Sequence, residues 1–166
     1  MTPPQPLETP LWAFALAVYG GDKVADECLA LQERLGLDVN ILLFAAFIGA
    51  VEAGQLESQD ITAASAAVAD WQSEIVRPLR QVRRALKPMS AEGLRAQIKA
   101  AELEAEKIEL AMLWQWSRAE LAGRPRSDRN RALVVNLRGV LKFYDAPDQP
   151  ETTQPCLIAA ATAYRP

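Results

Sequence analysis

The sequence predicts an all-α fold: a single-domain helical bundle of about six or seven helices, with one long helix over about 91–122. Three observations predict it. Apolar residues recur at spacings of three and four along most of the chain. The runs are bounded by Ser, Thr or Asp on one side and Gly or Pro on the other, as helices are. No stretch alternates apolar and polar residues in the manner of a half-buried strand. A chain of 166 residues, half of them hydrophobic and 23% charged, buries a core without needing a disulfide or a metal.

Thr9-Pro10 reads as a helix start, a capping hydroxyl followed by a ring whose φ suits the first turn. Leu11 to Tyr19 is apolar nearly all round, so this helix is expected to be buried, and Gly20-Gly21 ends it. Asp22 is expected to cap a second helix with Val24, Cys28, Leu31 and Leu35 on one face, closed by Gly36 in the left-handed conformation. Asp38 caps a third, Val39 to about Ala53, stopped by Gly54. A fourth begins near Asp60 or Ile61, and Pro78 should kink or split it near Val76, since it removes an N–H and crowds the preceding turn. A further piece runs to Lys87. After Lys87-Pro88-Met89-Ser90, Ser90 is expected to cap the long helix, with a seam of Leu94, Ile98, Ala101, Ala105, Ile108 and Met112 packing antiparallel. Beyond the basic loop Gly123 to Asp128, a helix over about 129–144 carries Leu133, Leu137, Val140 and Tyr144 on one face.

These elements divide the chain into a flexible segment 1–10, a helical domain 11–144, a proline-rich linker 145–155 and a short helical segment 156–166. The start lacks the basic and apolar regions of a signal peptide. The longest apolar stretch, Ile41 to Val51, falls short of the ~20 residues of a membrane span. Cys28 and Cys156 show no pairing pattern and read as reduced thiols, so a cytoplasmic protein is expected. A net charge of −3 gives no global drive towards nucleic acid or anionic membrane.

The chain has no histidine, which removes the commonest general base and the commonest transition-metal ligand. It also lacks a Cys-x-x-Cys pair, a glycine-rich phosphate loop and a Walker-type lysine. No catalytic residue, cofactor or metal is therefore assigned. Polar residues in helical register remain. Glu102, Glu106 and Glu109 share one side of the long helix. They read either as an inward metal-binding cluster or, without the Glu-x-x-His pairs of di-iron bundles, as a solvated or salt-bridged face. Arg77, Arg80, Arg84 and Lys87 form a cationic stripe. Folding back at Pro88 is expected to set Arg77 near Glu102 and Lys87 near Glu92. Unpaired, those arginines would form an anion or nucleic-acid site, joined by Arg124, Arg126, Arg129 and Arg131 around the loop. Asn40, two positions into a buried helix, must find a partner, either a neighbouring backbone or a polar pocket shared with Gln32 and an arginine. The tryptophans Trp12, Trp71, Trp114 and Trp116 read as helix contacts, with Trp116 the best placed for stacking.

The run Leu11-Trp12-x-Phe14-Ala15-Leu16-x-x-Tyr19, then Cys28-Leu29-x-Leu31-Gln32, Gly36-Leu37-Asp38-Val39-Asn40 and Leu42-Leu43-Phe44, resembles a family of short, mostly proteobacterial proteins classed as a domain of unknown function. Trp71, Val76-Arg77-Pro78-Leu79-Arg80, Arg83-Arg84-x-Leu86-Lys87 and Glu102-Leu103-Glu104-Ala105-Glu106 extend the likeness, which covers roughly 11–113. The resemblance implies a cytosolic, all-helical bacterial protein and brings no activity. It groups Asp38, Asn40, Arg77, Arg80, Glu102 and Glu106 into one arrangement, a buried strut or a site.

The functional expectation is a non-catalytic protein acting through protein–protein contact, with a homodimer suggested by the apolar segment Cys156 to Tyr164. The alternatives are a small-molecule or anion site at Gln32, Asn40, Arg77, Arg80, Glu102 and Glu106, and weak nucleic-acid binding through the arginine clusters.

Overall fold

The computed structural model describes residues 6–145 and 154–166. Most of segment 145–155 and half of segment 1–10 therefore lie outside the described residues. Among the described residues the chain is all-α, as its sequence predicts. The helices are α1 (Pro10–Tyr19), α2 (Val24–Leu35), α3 (Val39–Ala50), α4 (Ser58–Trp71), α5 (Arg77–Ala85), α6 (Glu92–Glu120), α7 (Arg129–Phe143) and α8 (Pro155–Ala163). A π-helical turn, Gln72–Val76, joins α4 to α5.

Several boundaries follow from local chemistry. The Thr9 hydroxyl accepts from the Trp12 N–H and the Asp38 carboxylate from the Asn40 N–H, each satisfying a donor that the helix leaves free. Gly36 closes α2 at φ 65°. Two expected caps are not used. Lys23, not Asp22, precedes α2, in the left-handed region and without a side-chain bond. At α6 the residue before the helix is Ala91, with Ser90 left-handed at φ 50°. In both places the chain is turned by its backbone, through Gly21 N–H to Val18 and Met89 N–H to Leu86, leaving the expected side chain out of register. Helix α3 stops at Ala50, short of Ala53, because Ala53 adopts φ 57° and Gly54 N–H returns to the Ile48 carbonyl at 2.8 Å. That closure over the seven residues 48–54 satisfies a terminal carbonyl.

Helix α3 is the axis of the core. Every residue from Asn40 to Gly49 is buried, against α1, α4, α6, α7 and α8. A helix apolar around its whole circumference can sit only in such a position. Its rings meet those of its neighbours edge to face: Phe47 with Phe14 and Trp114, and Phe44 with Trp116. Trp114 and Trp116 are thus helix contacts. Against α7 the approach is closest at Gly49, where a Cβ would stand 2.5 Å from the Leu133 backbone. Fully buried Asn136 of α7 then clasps the loop after α3. It accepts from Leu56 N–H and donates to the carbonyls of Ala45 and Gly54.

The terminal helix α8 is part of this core. Leu157 and Ala161 are buried on it, and the Glu27 carboxylate accepts from the N–H groups of Cys156 and Leu157 at its start. The apolar segment expected to seek a partner is occupied within the chain. Helix α6 also departs from the expected seam. Leu94 and Ala101 are exposed, and the inward stripe is Glu102, Ala105, Glu109, Leu113 and Ser117. Carboxylates fill positions that polarity alone assigns to the surface, because partners described below neutralise them.

Gly49→Ala should cost about 3 kcal/mol or more, since backbone rather than a movable side chain blocks the new methyl. Chemical denaturation checks this; a loss under about 1 kcal/mol would show that α3 and α7 can separate cheaply.

Candidate functional site

Two polar systems are set into the bundle along α6. The first is an ion-pair strut. Arg80 donates from Nε to Glu102 at 3.0 Å and from Nη2 to Glu106 at 2.7 Å. Arg83 grips Glu102 through Nε and through Nη2. Glu102 is buried, and burial alone would raise its pKa; the two guanidiniums more than offset this and hold it low. Glu106 shifts up, because burial outweighs its pairing with Arg80. The contacts correct the register expected from the turn at Pro88. Arg80 and Arg83, not Arg77, lie opposite Glu102, since the six residues 86–91 separate α5 from α6 and slide one helix along the other.

The second system is a carboxyl pair. Asn40 donates its side-chain N–H to Glu109 Oε2 at 2.9 Å. Glu109 is 0% exposed, and its Oε1 receives no hydrogen bond from a described residue. The Asp38 carboxylate stands within hydrogen-bond reach. Two carboxylates so placed share a proton. Burial first, then Asp38, drives the Glu109 pKa well above its ordinary value, so Glu109 is the acid that donates to Asp38. Tyr144 at the end of α7 closes this end of the bundle; burial, then the Asp38 charge, pushes its hydroxyl up to about 12.

Asp38 and Tyr144 also line a cavity of about 310 Å³ between the start of α3, the end of α4 and the end of α7. Ser65, Asp70, Gln72, Ser73 and Arg77 complete its polar lining, and Ile41, Val68 and Ala69 supply its apolar wall. The π-helical turn places Gln72 here. It follows buried Val68 by four residues and precedes buried Val76 by four, the spacing of a single helix face, so it shares their inward direction. Trp71, beside it, donates its indole N–H to the Ala105 carbonyl at 3.0 Å.

The six candidates from the sequence therefore divide. Arg80, Glu102 and Glu106 come together in the strut, Asn40 belongs to the carboxyl pair, and Arg77 opens on the cavity. Gln32 is half-buried on α2 and joins neither group. Ser65, Gln72 and Tyr144 were not singled out as site residues; the break at Pro78 is the only sequence signal near them. A second cavity, about 250 Å³, lies at the basic loop beside Arg118, Arg124 and Arg126. There Arg124 is held by Asp60 at 2.6 and 2.8 Å and Arg118 by Glu52. Among the described residues no group of three or more Cys, Asp or Glu side chains is arranged to hold a metal.

An all-helical bundle with a buried carboxyl pair and an ion-pair strut thus defines the class. The family model described as "Protein of unknown function (DUF2390)" matches residues 10–113, and the chain belongs to that family. The matched span contains the strut, Asp38, Asn40, Glu109, Gln72 and Arg77, and leaves out Asn136 and Tyr144. No curated protein and no solved structure matches the chain.

Two outcomes are expected. Glu109 is held protonated in the folded chain, above its ordinary value of 4.5. The unfolded chain binds fewer protons between those two values, so stability from this group declines as pH rises above about 4.5. Glu109→Gln, which keeps a donor towards Asp38 and an acceptor for Asn40, should flatten that decline; thermal melts between about pH 5 and pH 8 measure it. A melt whose pH dependence is unchanged would place the proton elsewhere. For the strut, Glu102→Ala should cost about 3 kcal/mol, because two guanidiniums lose their counter-charge. Urea unfolding at neutral pH gives the value, and a change below about 1 kcal/mol would make the pairs surface-like.

Proposed function

We propose that this chain is a non-catalytic cytosolic bacterial protein that works by binding another protein, and that the hairpin of α5 and α6 is the binding surface. The observation that carries this reading is the hairpin's lack of burial. Helix α5 buries none of its residues, nor does α6 before Glu102. Yet the hairpin presents Val82 at 45%, Met89 at 63% and Leu94 at 50% exposure. Large apolar side chains grouped on a projecting element mark interaction surfaces.

Charge supports a partner of a particular kind. Arg80 and Arg83 are taken up by Glu102 and Glu106, but Arg77, Arg84, Lys87, Arg95 and Lys99 form no ion pair among the described residues and Glu92 is the one acidic residue in this stretch, while the whole chain carries −3. A basic, partly apolar arm complements an acidic protein surface and repels a second arm, so self-association through the hairpin is disfavoured. The Gly-Leu-Asp-Val-Asn segment, in this reading, is the family's structural signature, since Gly36 and Asp38 delimit helices. Free Cys28 and Cys156 suit a reducing compartment.

The test is affinity capture by the full chain and by a Val82→Glu, Met89→Glu variant. The wild type should retain an acidic protein that elutes as salt rises, and the variant should lose it with an unchanged melting temperature. Equal capture by both, a dimer through the hairpin by mass measurement, or salt-sensitive retention on DNA would each overturn the reading.

A further inference from the structure

We propose that the cavity between α3, α4 and the end of α7 binds a small zwitterion of the α-amino-acid class, its ammonium on Asp38 and its carboxylate on Arg77. This is independent of the hairpin. Asp38 and Arg77 line the same cavity, and neither forms an ion pair with the other or with any described residue. Opposite charges that share a cavity without bridging fit a ligand that carries both. Arg77 offers a planar fork matched to a carboxylate. The Asp38 carboxylate has about four lone-pair sites, of which the Asn40 N–H and the Glu109 proton use two, and Asp70 on the rim adds a second negative charge for the ammonium end.

Independent signs of a ligand come from the walls. Gln72 is only 7% exposed and lines the cavity, yet its side-chain amide bonds to no described residue. The Ser65 Oγ is buried and likewise unpartnered. Buried polar groups are normally satisfied, and an amide together with a hydroxyl can meet the remaining donor and acceptor positions of a bound amino acid. Ile41 and Val68 give its side chain an apolar face. At about 310 Å³ the space lies at the small end of ligand sites, which span roughly 300–1,000 Å³. A nucleotide would need more cations than Arg77 alone, and a simple fatty acid would leave Asp38 facing hydrocarbon.

The full chain should be titrated by calorimetry and thermal shift with the common L-α-amino acids one at a time, beside n-butylamine, butyrate and inorganic phosphate. One or a few amino acids should raise the melting temperature with concentration, and the single-charge probes should not. Arg77→Ala and Asp38→Asn should each weaken binding about tenfold or more, the loss of one charge-assisted hydrogen bond. Asn caps a helix as well as Asp does, and the double variant Asp38→Asn, Glu109→Gln, whose amides can bond each other, is measured beside it to keep the contact between α3 and α6. Gln72→Leu, which fills the same space without the amide, should weaken binding as well. No response to any amino acid, an equal response to butyrate or phosphate, or binding unchanged in all three variants would overturn the proposal.

Discussion

The fold depends on placing carboxylates inside a helical bundle without leaving them as bare charges. Three glutamates on one side of α6 face α3 and α5 rather than water. Each is made tolerable in a different way: Glu102 by two guanidiniums, Glu106 by one, and Glu109 by a proton shared with Asp38 and a bond from Asn40. A buried ion pair contributes little net stability over an apolar replacement, because desolvation cancels most of the attraction. Its value lies in discrimination. A helix slid by one turn would bury an unpaired charge, so the strut fixes the register of α5 on α6 and the carboxyl pair fixes α3 on α6.

Around those fixed points the remainder packs by shape. Gly49 permits α3 and α7 to touch backbone to backbone, and Asn136 secures the loop that follows. Glu27 supplies the start of α8 with acceptors for two free N–H groups, a capping role played by a residue far away in sequence. The α5–α6 hairpin, by contrast, leaves its apolar residues uncovered.

Much of this could be read in the chain beforehand. Thr9-Pro10, Gly36 and Asp38 act locally, and local chemistry survives folding unchanged. The burial of α3 was legible in the long apolar stretch Ile41 to Val51, although its central place in the bundle was not. The seam of α6 was misread because its inward positions are glutamates, whose partners lie on helices distant in sequence; periodicity of hydrophobicity is blind to charges neutralised in three dimensions. Asp22 and Ser90 failed as caps because backbone turns reached the helix first. Gln72 carried no signal, since a polar side chain on the inward face between Val68 and Val76 is invisible to a reading of apolar periodicity.

That π-helical turn is, in covalent terms, one residue more than an α-helix needs over the same length. Remove the excess, and everything on one side of it rotates by about 100° relative to the other. Trp71 could then reach the Ala105 carbonyl, or Arg80 could reach Glu102, but not both. The extra residue acts as a phase shifter between two docking sites on α6. The polar wall of the cavity is a by-product of that correction: where the helix swells to take up the surplus, an amide is left facing inward.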